Sequence, residues 1–437
     1  MRKTEQINDV SNLNLGEILS EHQPVIFKNI NSDSLLLGNN NSAGENLINK
    51  LSDEIGSKVV SVMSGFYEDG GLLSYSNPNV DTRTRNTLIG PCTFDKFARQ
   101  VLKMSRDERP GYLYSQLLDI GNSMPELLPM VQPLDAKLNV KGEAIWNLWL
   151  GSGKHRVNTH YDKVENFYFV LHGKKVFNIF EPKLLPELYS GPYEGGPSGI
   201  PESVVDSNNP DHKTFPRYSE ALENSQVAEV CAGDMLYLPA NWWHNVSSER
   251  LNVSANLWWS DIGKVERFRA ELAFLQLLYS VKTLPKHWRD YWMTNIDHYV
   301  FCKNGNPLEH LPKEKQGIAG EIEIEVLTGI KQKIRDLEQE IFRLELDIDL
   351  SDDRLKLNCS HLLNIKIESI DYIEISIGTH QVFTEEYNVL KILRAFSGGR
   401  RPLEVYEGKI AQLYKIDQFS EKLVKFIRHG VLVMSHE

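Results

Sequence analysis

Bulky apolar residues alternate with smaller or polar ones through much of the first 260 positions of the chain. The clearest run is Ala144-Ile145-Trp146-Asn147-Leu148-Trp149-Leu150, closed by Gly151-Ser152-Gly153. Pro24 to Lys28 and Lys58 to Val62 are short runs rich in β-branched residues, and Met235 to Leu238 and Leu251 to Trp259 read as further strands. A period of two predicts half-buried strands. Phe167 to Leu171 and Lys175 to Phe180 flank His172-Gly173-Lys174, which reads as a hairpin turn. Many strands without alternating helices predict a sandwich or barrel, not a parallel α/β sheet. Tyr189 to Ser219 interrupts the strands with a long stretch rich in Gly, Pro, Ser and Asn. Segments of that length serve as lids or binding loops, or are plain surface insertions, and both readings stay open.

The period changes after Trp259. Val265, Phe268, Leu272, Leu275 and Tyr279 fall at helical spacing, and Leu327, Ile330, Ile334, Leu337, Ile341 and Leu344 step alternately by three and four. Such a seam covers fewer than three heptads. It describes either a helix packed on its own domain or a pair of helices forming a homodimer interface, and the spread over two successive helices favours the dimer. Beyond residue 350, Ile365 to Ile377 is strand-like, Glu385 to Phe396 and Phe419 to His429 are helical, Gly398-Gly399 marks a turn, and Val431 to Met434 ends in a strand. The expected organisation is a mainly β domain over residues 1–262, a helical dimerisation region over 263–350, and a small winged-helix-like domain over 351–437.

Composition narrows the classes. A chain of 437 residues exceeds one ordinary core, and 41% hydrophobic with 24% charged residues is that of a soluble globular protein. The net charge of -11 argues against a dedicated nucleic-acid binder, although it leaves room for a local basic groove. From Ser351 to Glu437, twelve Lys and Arg balance twelve Asp and Glu, which suits protein or peptide contact better than DNA. No apolar run is long enough to span a bilayer, and Met1 to Gln6 lacks the apolar stretch of a secretory signal. Cys92, Cys231, Cys302 and Cys359 lie far apart with no CxxC pair. They are expected as small buried apolar residues in a reducing cytoplasm, not as zinc ligands or disulfides.

Candidate chemistry begins at Asn158-Thr159-His160-Tyr161-Asp162. Residues two apart on a strand share a face, so His160 and Asp162 can present an imidazole and a carboxylate side by side. His244 follows in Trp242-Trp243-His244, after Gly233-Asp234-Met235-Leu236-Tyr237-Leu238-Pro239. Two histidines and one carboxylate leave metal positions open, as oxygenases that use non-haem iron(II) require. An HxD pair alone is weak evidence. Lys175 adds to it, because a strand neighbour can point it into the same cavity, where a buried ammonium needs an anion such as the distal carboxylate of 2-oxoglutarate. Its bland reading is a solvated strand residue.

His160-Tyr161-Asp162, Asn166-Phe167, Gly173 and Lys175 recur in the order and spacing of a known family. So do Gly233 to Pro239, Trp242-Trp243-His244, Asp206, Asn209-Pro210-Asp211 and Phe215-Pro216. Over Pro24 to Trp259, about half the chain, the sequence resembles the cupin-like JmjC family, and within it the asparaginyl hydroxylases that modify hypoxia-inducible factor. This resemblance implies a double-stranded β-helix, or jelly roll, with His160, Asp162 and His244 holding Fe(II). It implies that Lys175, assisted by Tyr114, pairs with the distal carboxylate of the co-substrate 2-oxoglutarate. Asn166 and Asn256 match positions near the co-substrate's metal-binding end, and Trp258 matches an aromatic wall of the pocket. Ordinary core or strand residues are the alternative for Tyr114, Asn256 and Trp258.

One position departs from the family. Relatives place Ser or Thr three residues before the first ligand, and here Val157 stands there. Either Asn158 or Thr159 substitutes, or Lys175 and Tyr114 carry the anion alone. The implied activity is dioxygenase hydroxylation of a C–H bond, first of all on a protein or peptide side chain, releasing succinate and carbon dioxide. N-methyl demethylation, or hydroxylation of a tRNA base or small metabolite, would use the same iron site. A non-catalytic cupin-like binding protein is the competing class, and the intact ligand set speaks against it.

Overall fold

The computed structural model describes the chain except for residues 9–14, 31–40, 66–71, 74–87, 108–110, 139, 141, 194–199, 208, 304, 321–323, 346–354, 358–362, 368–371, 378–380, 387, 397–401, 409, 429–431 and 435–437. It forms two compact units, Met1–Tyr279 and Ser280–Glu437.

The first unit contains strands β1 (Arg2–Lys3), β2 (Glu5–Ile7), β3 (Val25–Phe27), β4 (Val59–Gly65), β5 (Leu72–Leu73), β6 (Leu88–Thr93), β7 (Tyr112–Asp119) and β8 (Ile145–Ser152). They continue with β9 (His155–Tyr161), β10 (Glu165–His172), β11 (Lys174–Phe180), β12 (Gln226–Cys231), β13 (Met235–Leu238), β14 (Trp243–Ser248) and β15 (Asn252–Trp259). Two sheets result, in the orders β2-β3-β13-β10-β15-β8-β7-β4-β6 and β1-β12-β11-β14-β9-β5. Strands β8 to β15 divide four and four between them, and the chain changes sheet at every connection except that from β11 to β12. This is the expected double-stranded β-helix.

Gly173 is where the fold departs from the pattern reading. β10 pairs with β13 and β15, whereas β11 pairs with β12 and β14, so the two strands form no hairpin. The turn is a corner that passes the chain from one sheet to the other. Gly173 takes φ +83°, and a Cβ there would lie 2.4 Å from the Leu251 carbonyl oxygen, so only glycine fits without a shift. The neighbouring corner at Gly233-Asp234 docks onto it: Ala232 N donates to Gly173 O (3.0 Å) and Gly233 N to Val170 O (2.9 Å). Asp234 closes that corner by accepting from Cys231 N (3.0 Å) and Asn29 N (3.3 Å), and it pairs with Lys28.

Helices cover the outer face of the longer sheet, where the pattern reading expected only strands and loops. α1 (Leu15–Ser20) and α4 (Ile120–Ser123) are short; α2 (Asn41–Ile55), α3 (Phe94–Asp107) and α5 (Leu128–Leu138) are the substantial ones. Leu47, Ile48, Leu51, Phe94, Phe97 and Val101 pack in one cluster with the sheet residues Leu148, Leu150, Phe167, Phe169, Ala255 and Leu257. Each such side chain, fully buried, contributes about 1.5–3 kcal/mol. Because strand neighbours face opposite ways, outward Phe167 and Phe169 leave Asn166 and Tyr168 pointing between the sheets. α6 (Tyr218–Glu223) closes the long insertion, and α7 (Lys264–Ser280) follows β15. α7 buries no side chain.

The second unit holds α8 (Lys286–Tyr299) and α9 (Ile324–Glu345), then strands and three short helices. The strand-like stretch near Ile365 is two antiparallel strands, β17 (Leu363–Ile367) and β18 (Tyr372–Ile377), joined by β19 (Gln381–Glu386). α10 (Val389–Ala395), α11 (Pro402–Gly408) and α12 (Ile416–Arg428) share a core with Ile375 and Leu432. β16 (Leu355–Leu357) pairs with β20 (Leu432–Met434). The expected Gly398-Gly399 turn, Val431 and Cys359 lie outside the described residues. Cys231 and Cys302 are exposed and Cys92 is half-buried, which corrects the expectation of buried cysteines: Cys231 ends its strand at the solvent side of the Gly233 corner.

Candidate active site

The mouth of the barrel holds an open cavity between the two sheets. His160, Asp162, His244, Asn166 and Trp258 line one end, with Tyr114, Trp149, Val157, Tyr168, Phe177 and Val246 around them. β9 and β14 run antiparallel with His160 opposite His244. The two imidazole rings are 4.5 Å apart between centroids, and His244 Nε2 lies 3.9 Å from Asp162 Oδ2. Thus the structure brings together the three expected ligands.

A bulge makes this possible. Trp243 and His244 oppose Tyr161 and His160, but Val246 opposes Val157, so two residues of β9, Asn158 and Thr159, face Asn245 alone. The extra residue resets the period of two, which lets His155 and Val157 share the interior with His160 and Asp162 despite their opposite parity. Asn158 Nδ2 instead donates to Ser203 O (2.6 Å), and Thr159 Oγ1 accepts from Asn245 Nδ2 (3.2 Å). Neither therefore replaces the hydroxyl missing at Val157.

Both ring orientations are set by the backbone. His160 Nδ1 lies 2.7 Å from Asn158 O, and His244 Nδ1 lies 3.0 Å from Trp242 O. A carbonyl only accepts, so each Nδ1 carries the proton and each Nε2 keeps a bare lone pair toward the cavity. Burial, reinforced by neighbouring His160, pushes His244 down to about 3, which keeps it neutral. Burial raises the Asp162 carboxyl, opposed by His160 and by the Asn166 N–H.

An amide chain runs to that carboxylate from the interior. Trp149 Nε1 donates to Asn256 Oδ1 (2.7 Å), Asn256 Nδ2 to Asn166 Oδ1 (3.0 Å), and Asn166 Nδ2 to Asp162 Oδ2 (3.4 Å). Asn256 is fully buried and works through Asn166, not at the cavity surface. The indole N–H of Trp258 lies beside the same carboxylate without closing a well-aligned hydrogen bond.

Lys175, two residues before the cavity-lining Phe177 on β11, is 1% exposed and does not itself line the cavity. Among the described residues no carboxylate pairs with it; His155 Nε2 is 3.2 Å from its Nζ, and the Tyr114 ring centroid is 5.1 Å away. Burial pulls its ammonium down to about 7. Tyr114, stacked near Trp149 and 4.5 Å from the His155 ring, covers the pair. His155 was not among the expected site residues.

The insertion supplies part of the wall. Arg156 forms an ion pair with Asp206, Ser203 N donates to Thr159 O (2.8 Å), and Ile200 and Glu202 face the cavity. Between lid and plain insertion, its described residues are a wall pinned to β9. Opposite, a second bulge in β7 sets Leu117 at φ +56° and brings Gln116 and Leu117 to the rim. Gln116 and Glu202 were also unforeseen, since neither carries a motif.

Among the described residues, no three His, Cys, Asp or Glu side chains already stand at metal-holding distances. The donor set nevertheless fits a metal: two neutral imidazole lone pairs and a carboxylate converge from one side on an open cavity. Lys175, buried against the cavity residue Tyr114 and without a carboxylate partner among the described residues, is the cation available to an anion.

Fold and site together define a cupin barrel with a two-histidine, one-carboxylate cluster. A family model described as "Cupin-like domain" matches residues 11–264, more than half of the chain, and the chain belongs to that family. Over 162 residues it is 33% identical to Lysine-specific demethylase JMJ31 of Arabidopsis thaliana, covering 36% of this chain and 29% of that protein. It is 28% identical over 244 residues to tRNA wybutosine-synthesizing protein 5 of Gallus gallus, covering 49% and 73%. With Bifunctional peptidase and (3S)-lysyl hydroxylase JMJD7 of Homo sapiens it shares 31% over 185 residues, covering 37% and 58%. The chain is thus a distant homologue of JmjC proteins, and the matches span less than two thirds of the first and third of these relatives.

Proposed function

We propose that this protein is an iron(II)- and 2-oxoglutarate-dependent dioxygenase that hydroxylates a C–H bond on a protein or peptide side chain. The observation that carries the reading is the convergence of His160 Nε2, His244 Nε2 and the Asp162 carboxylate on one cavity, with Lys175 buried against Tyr114, a residue that lines the same cavity. His160, His244 and Asp162 would hold the iron, and Lys175 would take the distal carboxylate of 2-oxoglutarate. Bound there, iron and 2-oxoglutarate supply the oxidising chemistry, with succinate and carbon dioxide released.

The chain's own residues orient and shield. Backbone carbonyls fix both imidazoles, and the Trp149–Asn256–Asn166 chain aims Asp162. Tyr168, Phe177, Trp149 and Trp258 keep water from the interior, while Gln116, Leu117, Ile200 and Glu202 form the rim a substrate would meet. α7 exposes Val265, Phe268, Leu272, Leu275 and Tyr279, the residues of its helical seam. A helix with apolar side chains and no buried face needs cover, and a second copy is the occupant we favour. The C-terminal module would add a protein-contacting surface.

The test is anaerobic addition of iron(II) and 2-oxoglutarate, expected to give a weak visible charge-transfer band that His160→Ala or Asp162→Ala abolishes. Absence of both the band and succinate formation would favour a non-catalytic binding protein. Because the relatives are named as demethylases, a lysyl hydroxylase and a tRNA-modifying protein, candidate peptides and tRNA are screened by mass. Gain of one oxygen atom on a peptide supports the proposal; formaldehyde release or modified tRNA reassigns the substrate.

A further inference from the structure

Lys175 raises a problem that the expected site residues do not solve. An ammonium removed from water is strongly disfavoured unless something accepts its protons. Val157 has no hydrogen-bonding group, and Asn158 and Thr159 are engaged elsewhere. Among the described residues Lys175 has no acid partner, and its only side-chain acceptor with a lone pair is His155 Nε2, at 3.2 Å.

His155 is built for that task. Its Nδ1 lies 3.1 Å from Gly153 O, which can only accept, so Nδ1 carries the proton and Nε2 points a lone pair at Lys175. It is 1% exposed, and burial together with neighbouring Lys175 holds the imidazole neutral. Space for it comes from Gly151, opposite Tyr114 on β8: a Cβ there would stand 2.9 Å from the Tyr114 ring and 3.0 Å from His155 Cε1. Gly151, Tyr114 and His155 thus form a close-fitting cradle around one ammonium.

We propose that His155 is the positioning residue of the anion site: by accepting one N–H of Lys175 it orients the ammonium, whose remaining N–H groups receive the distal carboxylate of a 2-oxo dicarboxylic acid. This rests on the iron and 2-oxoglutarate reading above. His155 does not itself donate to the carboxylate, because its single proton is committed to Gly153 O. The site then holds one positive charge for one incoming carboxylate. Its hydrogen bonding is shared between an imidazole below and the ligand above, with no hydroxyl required at Val157.

The experiment is anaerobic calorimetric titration of the full-length protein with 2-oxoglutarate, with Mn(II) in place of iron, and with pyruvate, which lacks the distal carboxylate. His155→Leu is expected to weaken 2-oxoglutarate binding about tenfold or more, the scale of a lost hydrogen bond to a charged group. Pyruvate binding should not change. His155→Gln, whose carbonyl oxygen can accept from Lys175, should restore 2-oxoglutarate affinity to within about threefold of the unaltered protein. Undiminished 2-oxoglutarate binding by His155→Leu overturns the proposal, as does equal loss of both ligands. If the leucine variant does not fold, His155→Gln decides alone: near-normal affinity supports the proposal and a loss above about tenfold overturns it. Failure of the unaltered protein to bind 2-oxoglutarate would instead sink the underlying reading, an outcome distinct from these.

Discussion

Asn241 donates its backbone N–H to the carbonyl of Asp162 across 2.7 Å. This bond ties the corner that delivers His244 to the corner that carries the carboxylate. Asn241 sits at φ +65°, a left-handed conformation that Asn tolerates and β-branched residues resist. Asn241→Val should therefore cost about 1–3 kcal/mol of stability, seen as a lower Tm, and loosen Mn(II) binding. Asn241→Gly keeps the conformation and should bind Mn(II) as the unaltered protein does. Equal behaviour of the two variants would show that the corner does not depend on this backbone geometry.

The amide chain behind Asp162 makes a second prediction. Asn256→Ala removes the acceptor of Trp149 Nε1 and the donor to Asn166 Oδ1, both in the interior. Leaving buried polar groups without partners costs about 1–3 kcal/mol each. Metal affinity should fall about tenfold, the scale for an outer partner of a ligand. Thermal melting and Mn(II) titration measure the two effects separately. A destabilised variant with full metal affinity would mean that Asn256 serves the core only.

How far the site was readable from the chain depends on strand parity. β8 stands out because bulky residues alternate there, β13 and β15 because they are short, largely apolar runs, and His160, Asp162 and His244 lie where short motifs mark them. Period two carries information only along an unbroken strand, however. The bulge at Asn158-Thr159 exists because β9 must match β14, a partner some 85 positions away, so strand parity counted back from His160 does not reveal that His155 faces the interior. The Gly173 corner looks locally like a hairpin, since what separates β10 from β11 is the choice of partner strands and not the turn residues. By contrast, Leu47, Ile48, Leu51 and Ile55 have the helical spacing of α2, so that helix is written in the local pattern of the chain.

Exposure of the α7 seam predicts an oligomer. Phe268 and Leu272 are 60% and 55% exposed and lie one turn apart. A helix that leaves such residues to solvent is unfavourable for an isolated chain, and a stable dimer covers on the order of 800 Å² per partner. The unaltered protein should sediment as a dimer, and Phe268→Asp with Leu272→Asp as a monomer. Ile334→Asp, on the exposed face of α9, tests whether that helix takes part as well. A monomer at every concentration without any substitution would remove the second copy as the covering partner.

Lys175 makes the stability of the metal- and ligand-free protein depend on pH. Its folded-state value is lowered by burial to about 7, against 10.5 for an ordinary lysine. The unfolded chain therefore holds a proton between these limits that the folded chain lacks, and this group's contribution to stability rises with pH across that window. Below about 7 both states are protonated, and the fold carries the full penalty of the buried ammonium. Lys175→Met removes the charge while filling similar space. It should raise Tm most at pH 6, by an amount corresponding to a few kcal/mol, and the advantage should shrink as pH rises through 7 toward 10. Added on top of saturating Mn(II), 2-oxoglutarate should stabilise the unaltered protein more than the variant, because only the lysine gains an anion. A Lys175→Met advantage independent of pH would mean that packing, not the ammonium, sets the difference.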